Sequence, residues 1–141
     1  METCTFCMIS AKKVKAFIVF EDSRFIAFLD QRPLFPGHCL LIPKMHIETF
    51  DKLPLQLIRP LFVLSQVITN AVRKGMKAEG TFIAINNRVS QSIPHLHIHI
   101  VPRNNKDGLI GFFWPRHKYE SDSHMQRTQN KIKSSLKGII R

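Results

Sequence analysis

The segment Pro94-His95-Leu96-His97-Ile98-His99-Ile100-Val101 alternates imidazoles with aliphatic side chains. A period of two is that of a β-strand, so His95 to Val101 is predicted as a strand with His95, His97 and His99 on one face and Leu96, Ile98 and Ile100 turned to the core. Pro94 before it and Val101-Pro102-Arg103 after it frame a buried strand, which argues against three idle, solvated histidines. At a rise of roughly 3.3 Å per residue the Cα atoms of His95 and His99 stand about 13 Å apart, so one metal ion does not collect all three rings. The imidazoles must divide their tasks. A His-x-His pair could still chelate a metal, as in a β-rich metalloenzyme.

Four more runs have strand character: Phe17 to Phe20, Phe25 to Leu29, Cys39 to Ile42 and Thr81 to Asn86. The short polar Glu21-Asp22-Ser23 predicts an antiparallel hairpin between the first two. Between the third and fourth, Leu57, Ile58, Leu61, Phe62, Leu64, Val67, Ile68, Ala71 and Val72 recur at helical spacing. Asp51 is a candidate cap for this helix; Pro60 predicts a break, with the long helix running from about Pro60 to Lys74 and Gly75 at its end. Asn104 to Tyr119, carrying Phe112, Phe113 and Trp114, is expected to be irregular, and Met125, Ile132, Leu136 and Ile139 predict a terminal helix laid on the core. Strands, helix, strands, helix make an α+β domain with a mainly antiparallel five-stranded sheet. A length of 141 residues suits one domain, 1–141, with an extension from about 104 to 141 packed on it.

Cys4-Thr5-Phe6-Cys7 has the spacing at which a knuckle turn brings two thiolates to one zinc. No second Cys-x-x-Cys follows, so the remaining ligands must be histidines, and the strand that precedes a thioredoxin-like motif is missing. Three cysteines cannot all pair, which favours metal over disulfide. The start Met1-Glu2-Thr3-Cys4 lacks a signal-peptide layout and no apolar stretch approaches bilayer length, so a cytoplasmic protein without membrane partners is expected. Twenty-one Lys and Arg against ten Asp and Glu give a net charge of +11, which favours anionic partners. Arg127, Lys131, Lys133, Lys137 and Arg141 are read as a solvated helix face, so nucleic acid is permitted by charge without being favoured.

These residues resemble the histidine triad (HIT) family, whose signature His-φ-His-φ-His-φ-φ, with φ apolar, is met by His95 to Val101. Phe28-Leu29-Asp30, Pro36-Gly37-His38 and Ile42-Pro43-Lys44-Met45-His46 are similar to the family's nucleoside-pocket strand and loop. Ile85-Asn86-Asn87 and Ser90-Gln91-Ser92 are similar to its approach to the triad strand. The resemblance implies that His97 is a nucleophile forming a nucleotidyl-phosphohistidine and that His99 and Ser92 contact phosphate and leaving group. It implies further that His38 lies beside the triad, that Phe28 belongs to the nucleoside pocket, that Asp30 holds ribose hydroxyls, and that Asn86 and the backbone around Gln91 and Ser92 steady phosphate oxygens. In branches opening with Cys-x-x-Cys the implied ligands of a structural zinc are Cys4, Cys7, His46 and His95. Where the family loop carries several glycines, this chain has Arg88-Val89-Ser90.

The resulting expectation is a hydrolase or nucleotidyltransferase acting on adenosine nucleotides, namely phosphoramidates, dinucleoside polyphosphates or adenylylated acceptors. It needs no magnesium, and by resemblance it is a homodimer. A neutral imidazole held at Nδ1 by a backbone carbonyl would attack through Nε2, as this chemistry requires. Two other classes compete. A nucleotide or nucleic-acid binding module with little turnover would survive loss of His97, and a metalloenzyme with His97 and His99 on a catalytic metal would lose activity to chelators.

Overall fold

The computed structural model describes residues 3–109 and 116–139. Phe112, Phe113 and Trp114 lie outside the described residues. In chain order the elements are α1 (Thr5–Ser10), β1 (Ile18–Glu21), β2 (Phe25–Leu29), β3 (Cys39–Pro43), a 3-10 turn (Phe50–Lys52), α2 (Leu55–Gly75), β4 (Gly80–Ile85), β5 (Ile98–Arg103) and α3 (Asp122–Ile139). The strands form one five-stranded sheet in the order β1-β2-β3-β5-β4. Each neighbouring pair is antiparallel. The chain divides into two compact units, one up to Asp107 and one from Gly108, the second carrying α3.

Asp22 closes the first hairpin: its Oδ1 accepts from the amides of Arg24 and Phe25 at 2.7 Å each, the local side-chain turn that short Asx side chains favour. β5 runs inside the sheet, with Leu41 opposite Ile98, Leu40 opposite His99 and Cys39 opposite Ile100. Directly opposed residues share a face, so alternation sorts the strands into two layers. Leu41, Ile98 and Ile100 pack with Leu57, Leu61, Ile68 and Val72 of α2. Ile26, Phe28, Leu40 and Ile42 pack with Cys4, Phe6 and Ile9 of the N-terminal segment. His99, across from Leu40, belongs to this second face, which α1 covers.

Several boundaries depart from the expected ones. β5 begins at Ile98 rather than His95, because the preceding backbone is engaged elsewhere: the Leu96 amide donates to the Ile47 carbonyl at 2.6 Å and the His95 amide to the Ile93 carbonyl at 2.8 Å. β1, β3 and β4 also shift by a residue or so. α2 runs unbroken through Pro60. Proline there removes the bond to the Gln56 carbonyl and crowds that oxygen, while Leu57 and Leu61 on either side both enter the core and hold the helix together across it. Asp51 does not cap α2, whose N-cap is Pro54; it sits in the 3-10 turn and pairs with Arg88 at 2.8 Å. Gly75 is the last helical residue, and the left-handed conformation that ends the helix falls on Lys77, with φ of 52°. Contrary to the expectation from apolar runs, α2 is long and apolar enough to cross a bilayer by length and composition. Polar residues interrupt its apolar run, yet the average over an 18-residue stretch of it suffices; its buried stripe of Leu57, Leu61, Ile68 and Val72 is that of a core helix.

Candidate active site

Hydrogen bonds assign the tautomers of four histidines. His97, only 3% exposed, directs Nδ1 at the carbonyl oxygen of His95 at 2.7 Å. A carbonyl only accepts, so Nδ1 carries a proton, and in the neutral ring Nε2 keeps its lone pair. His95, fully buried, donates from Nε2 to the Pro43 carbonyl at 2.7 Å, which leaves its Nδ1 unprotonated. The turn before β3 fixes the other two rings. The Leu34 amide donates to His38 Nδ1 at 3.1 Å, so His38 carries its proton on Nε2 and donates it to His99 Nδ1 at 3.0 Å. His99 therefore holds its own proton on Nε2. One backbone carbonyl makes His97 a lone-pair donor, and one backbone amide, acting through His38, makes His99 a hydrogen-bond donor.

Burial disfavours the charged forms of His38, His95 and His99. Desolvation, with the charges of His97 and His38 adding to it, pushes His99 down to about 4. Desolvation also lowers His38, against the opposing pull of Asp30, whose Oδ2 lies 3.7 Å from His38 Nε2. The Asp30 amide donates to the His38 carbonyl at 2.9 Å and its Oδ1 accepts from the Arg32 amide at 2.9 Å, so this carboxylate is held at the end of β2.

His97 and His99 line a cavity of about 530 Å³ whose wall also includes Phe6, Ile9, Phe28, Asp30 and Ser92. That volume matches small-molecule sites, which are apolar with a few placed polar groups. Of the residues singled out from sequence, Phe28, Asp30, Ser92, His97 and His99 meet in this cavity, with His38 behind His99. Asn86 and Gln91 are not among its lining residues. Gln91 instead braces the loop before the triad: its Nε2 donates to the Glu48 carbonyl at 2.6 Å and its Oε1 accepts from the Arg88 amide at 2.8 Å. Arg88 and Ser90 adopt positive φ, 66° and 58°, a region glycine enters more readily, and these braces hold them there. Sequence reading missed Phe6 and Ile9 in the cavity wall; the signal was present as an apolar pair spaced three apart beside the two thiols.

A second cluster gathers Cys4, Cys7, His46 and His95, with all ligand atoms within 4.8 Å of one another. Cys4 Sγ lies 3.4 Å from His95 Nδ1, Cys7 Sγ 3.6 Å from the same atom and 3.2 Å from His46 Nδ1. Tetrahedral bonds of about 2.3 Å to sulfur and about 2.05 Å to nitrogen require sulfur–nitrogen edges of about 3.6 Å. The residues fit a four-coordinate S2N2 metal cage, with the Pro43 carbonyl orienting His95 from outside. Burial, and then Cys4 beside it, pushes the Cys7 thiol up to about 11. Cys39, raised to about 11 by burial alone, stands apart in β3.

A five-stranded antiparallel sheet with a buried imidazole presented just before β5, which runs between β3 and β4, on the wall of an apolar pocket that a carboxylate also lines, defines a histidine-triad domain. Residues 11–106 match the HIT domain, and the chain belongs to the HIT family. An HIT-like protein of Saccharolobus solfataricus is 35% identical over 96% of this chain and 99% of its own length. The adenosine 5'-monophosphoramidase of Saccharomyces cerevisiae is 29% identical over 96% and 84%, and an adenylylsulfatase of Arabidopsis thaliana 33% identical over 75% and 55%. Among solved structures, a HIT family member from Bacillus subtilis superposes with a TM-score of 0.86 at 32% identity, covering 94% of this chain and 96% of that one. A zinc-bound histidine triad protein from Mycobacterium smegmatis superposes with a TM-score of 0.72 at 32% identity, covering 95% and 98%.

Proposed function

We propose that this chain is a nucleotide hydrolase or nucleotidyltransferase that attacks the α-phosphate of adenosine nucleotides through a nucleotidyl-phosphohistidine on His97. The observation that carries it is the bond from His97 Nδ1 to the His95 carbonyl, which leaves Nε2 as the unprotonated nitrogen on a cavity-lining ring. The Nε2 lone pair forms the N–P bond, and the bond to the leaving group breaks with its electron pair on the leaving atom, which takes up a proton. Water, or a second acceptor, then attacks phosphorus; the N–P bond breaks, one proton is released and His97 is restored. His99 Nε2–H and the Ser92 hydroxyl supply donors where phosphate charge develops. Asp30 at the end of β2 suits ribose hydroxyls, and Phe28 with Phe6 suits the base. The substrates are phosphoramidates, adenylylated acceptors or dinucleoside polyphosphates; relatives named as an adenosine 5'-monophosphoramidase and an adenylylsulfatase support the first two.

Cys4, Cys7, His46 and His95 would hold a structural zinc, as the donor set and the zinc-bound relative suggest; it would cross-link the N-terminal segment to the triad, with no step of the reaction passing through it. A homodimer would use α2, where Phe62, Val63 and Val67 are exposed, and the edge strand β4, where Ile83 is exposed.

Replacing His97 with Ala should abolish turnover of an adenosine phosphoramidate while adenosine monophosphate still binds, and quenching without acid should trap label on the wild-type protein alone. Turnover preserved in His97→Ala would refute the covalent mechanism, and a chain that binds nucleotide yet never turns over would be a binding module.

A further inference from the structure

Phe6 stands between the two thiols of the metal cage and on the wall of the catalytic cavity at once. α1 has six residues and no side-chain cap, too short to hold helical geometry unaided. The packing of Phe6 and Ile9 on the sheet holds it, and a metal in the cage at Cys4 and Cys7 would hold it further. The Phe6 ring lies edge-on to Phe28 with centroids 5.4 Å apart, to His95 at 5.8 Å and to His97 at 5.1 Å. Phe6, Ile9, Phe28 and His97 all line the same cavity. The other side of the cage reaches the nucleophile too, because His95 offers its Nδ1 to the thiols and its carbonyl to His97.

We infer that metal occupancy and nucleotide binding are thermodynamically linked through α1, with Phe6 as the positioning residue: metal in the cage holds Phe6 against His97 and Phe28, so the nucleotide meets a wall already ordered. This rests on the nucleotide reading above. A chain whose wall is ordered beforehand loses less freedom on binding and binds more tightly. The linkage is reciprocal, so a bound nucleotide must raise metal affinity by the same factor by which metal raises nucleotide affinity. A cage serving only to stabilise the fold would show no such reciprocity at Phe6.

The test uses the zinc-loaded chain and adenosine monophosphate. Zinc transfer to a chromophoric chelator is followed with and without saturating nucleotide, and nucleotide affinity is measured by calorimetry before and after chelation. Zinc affinity should rise about tenfold or more with nucleotide present, and nucleotide affinity should fall by the same factor once zinc is removed. In Phe6→Ala, whatever the zinc affinity without nucleotide, its response to saturating nucleotide should collapse toward none. Zinc affinity indifferent to nucleotide would overturn the linkage and leave the proposed function standing. A Phe6→Ala chain responding as wild type would show that any coupling runs through global folding, and would overturn the role of Phe6. Nucleotide that fails to bind even the zinc-loaded chain would overturn the functional reading itself. The zinc-transfer arm starts from loaded protein, so it reads out whether or not the stripped chain stays folded.

Discussion

His38 separates two tasks that different amides can mimic one at a time. Its Nδ1 accepts from the Leu34 amide at 3.1 Å and its Nε2 donates to His99 at 3.0 Å. A glutamine amide nitrogen reaches the position of Nε2, so His38→Gln keeps the donor to His99 and gives up the acceptor for the loop. An asparagine oxygen reaches the position of Nδ1, so His38→Asn keeps the loop and orphans His99. A buried acceptor left without its donor costs about 1–3 kcal/mol; felt in the transition state, this is a loss of about 5- to 150-fold in kcat, at roughly 1.4 kcal/mol per factor of ten. The expectation is therefore that His38→Asn loses kcat by about that factor with little change in KM, and that His38→Gln retains most of kcat and loses thermal stability. Turnover of an adenosine phosphoramidate gives the kinetics, and nitrogen NMR of His99 reports directly whether Nδ1 remains unprotonated. Equal losses in the two variants, or the reverse order, would refute the relay from Leu34 through His38 to His99.

Two further perturbations follow. Gly37 has φ of 97°, and a Cβ there would meet Met76 Cγ at 2.6 Å. Gly37→Ala should lower the melting temperature, with about 1–2 kcal/mol of backbone strain that Met76→Ala does not relieve and a clash that it does; an unchanged melting point would contradict this geometry. The pH dependence of stability follows from His99, which faces Asp30, His38 and His97. Its folded value of about 4 lies below the ordinary 6.5, so between these values the unfolded chain binds more protons than the folded one. This contribution to stability is complete above about pH 6.5 and is lost as pH falls toward 4. Denaturant titrations of wild type and His99→Gln across that window should show a shallower slope in the variant; parallel slopes would mean that His99 is not the titrating group.

Much of the architecture was legible because hydrophobic period is a local property. The run Phe25 to Leu29 is the observed β2, and the helical spacing from Leu57 to Val72 lies within α2. Pro60 misled because its penalty is local, whereas the burial of Leu57 and Leu61 that outweighs it comes from the sheet. The triad strand was placed three residues early for the same kind of reason: alternation continues through His95 and Leu96, but their amides bond to Ile93 and Ile47 rather than to a neighbouring strand. Gln91, read as part of the phosphate approach, spends its side chain on Glu48 and Arg88, partners that nothing in the local pattern announces.

Spacing alone determined that the histidines alternate across an extended segment, that they cannot share one ion, and that Cys4 and Cys7 can. Which nitrogen of each ring carries a proton was decided only by folding. That choice depends on the His95 and Pro43 carbonyls and the Leu34 amide; Pro43 lies 52 residues from the His95 ring it orients, and His38, which passes on the effect of Leu34, lies 61 residues from His99. Tautomers answer to the direction of a hydrogen bond, and those directions exist only once β3 and β5 are paired and the turn at Leu34 has closed.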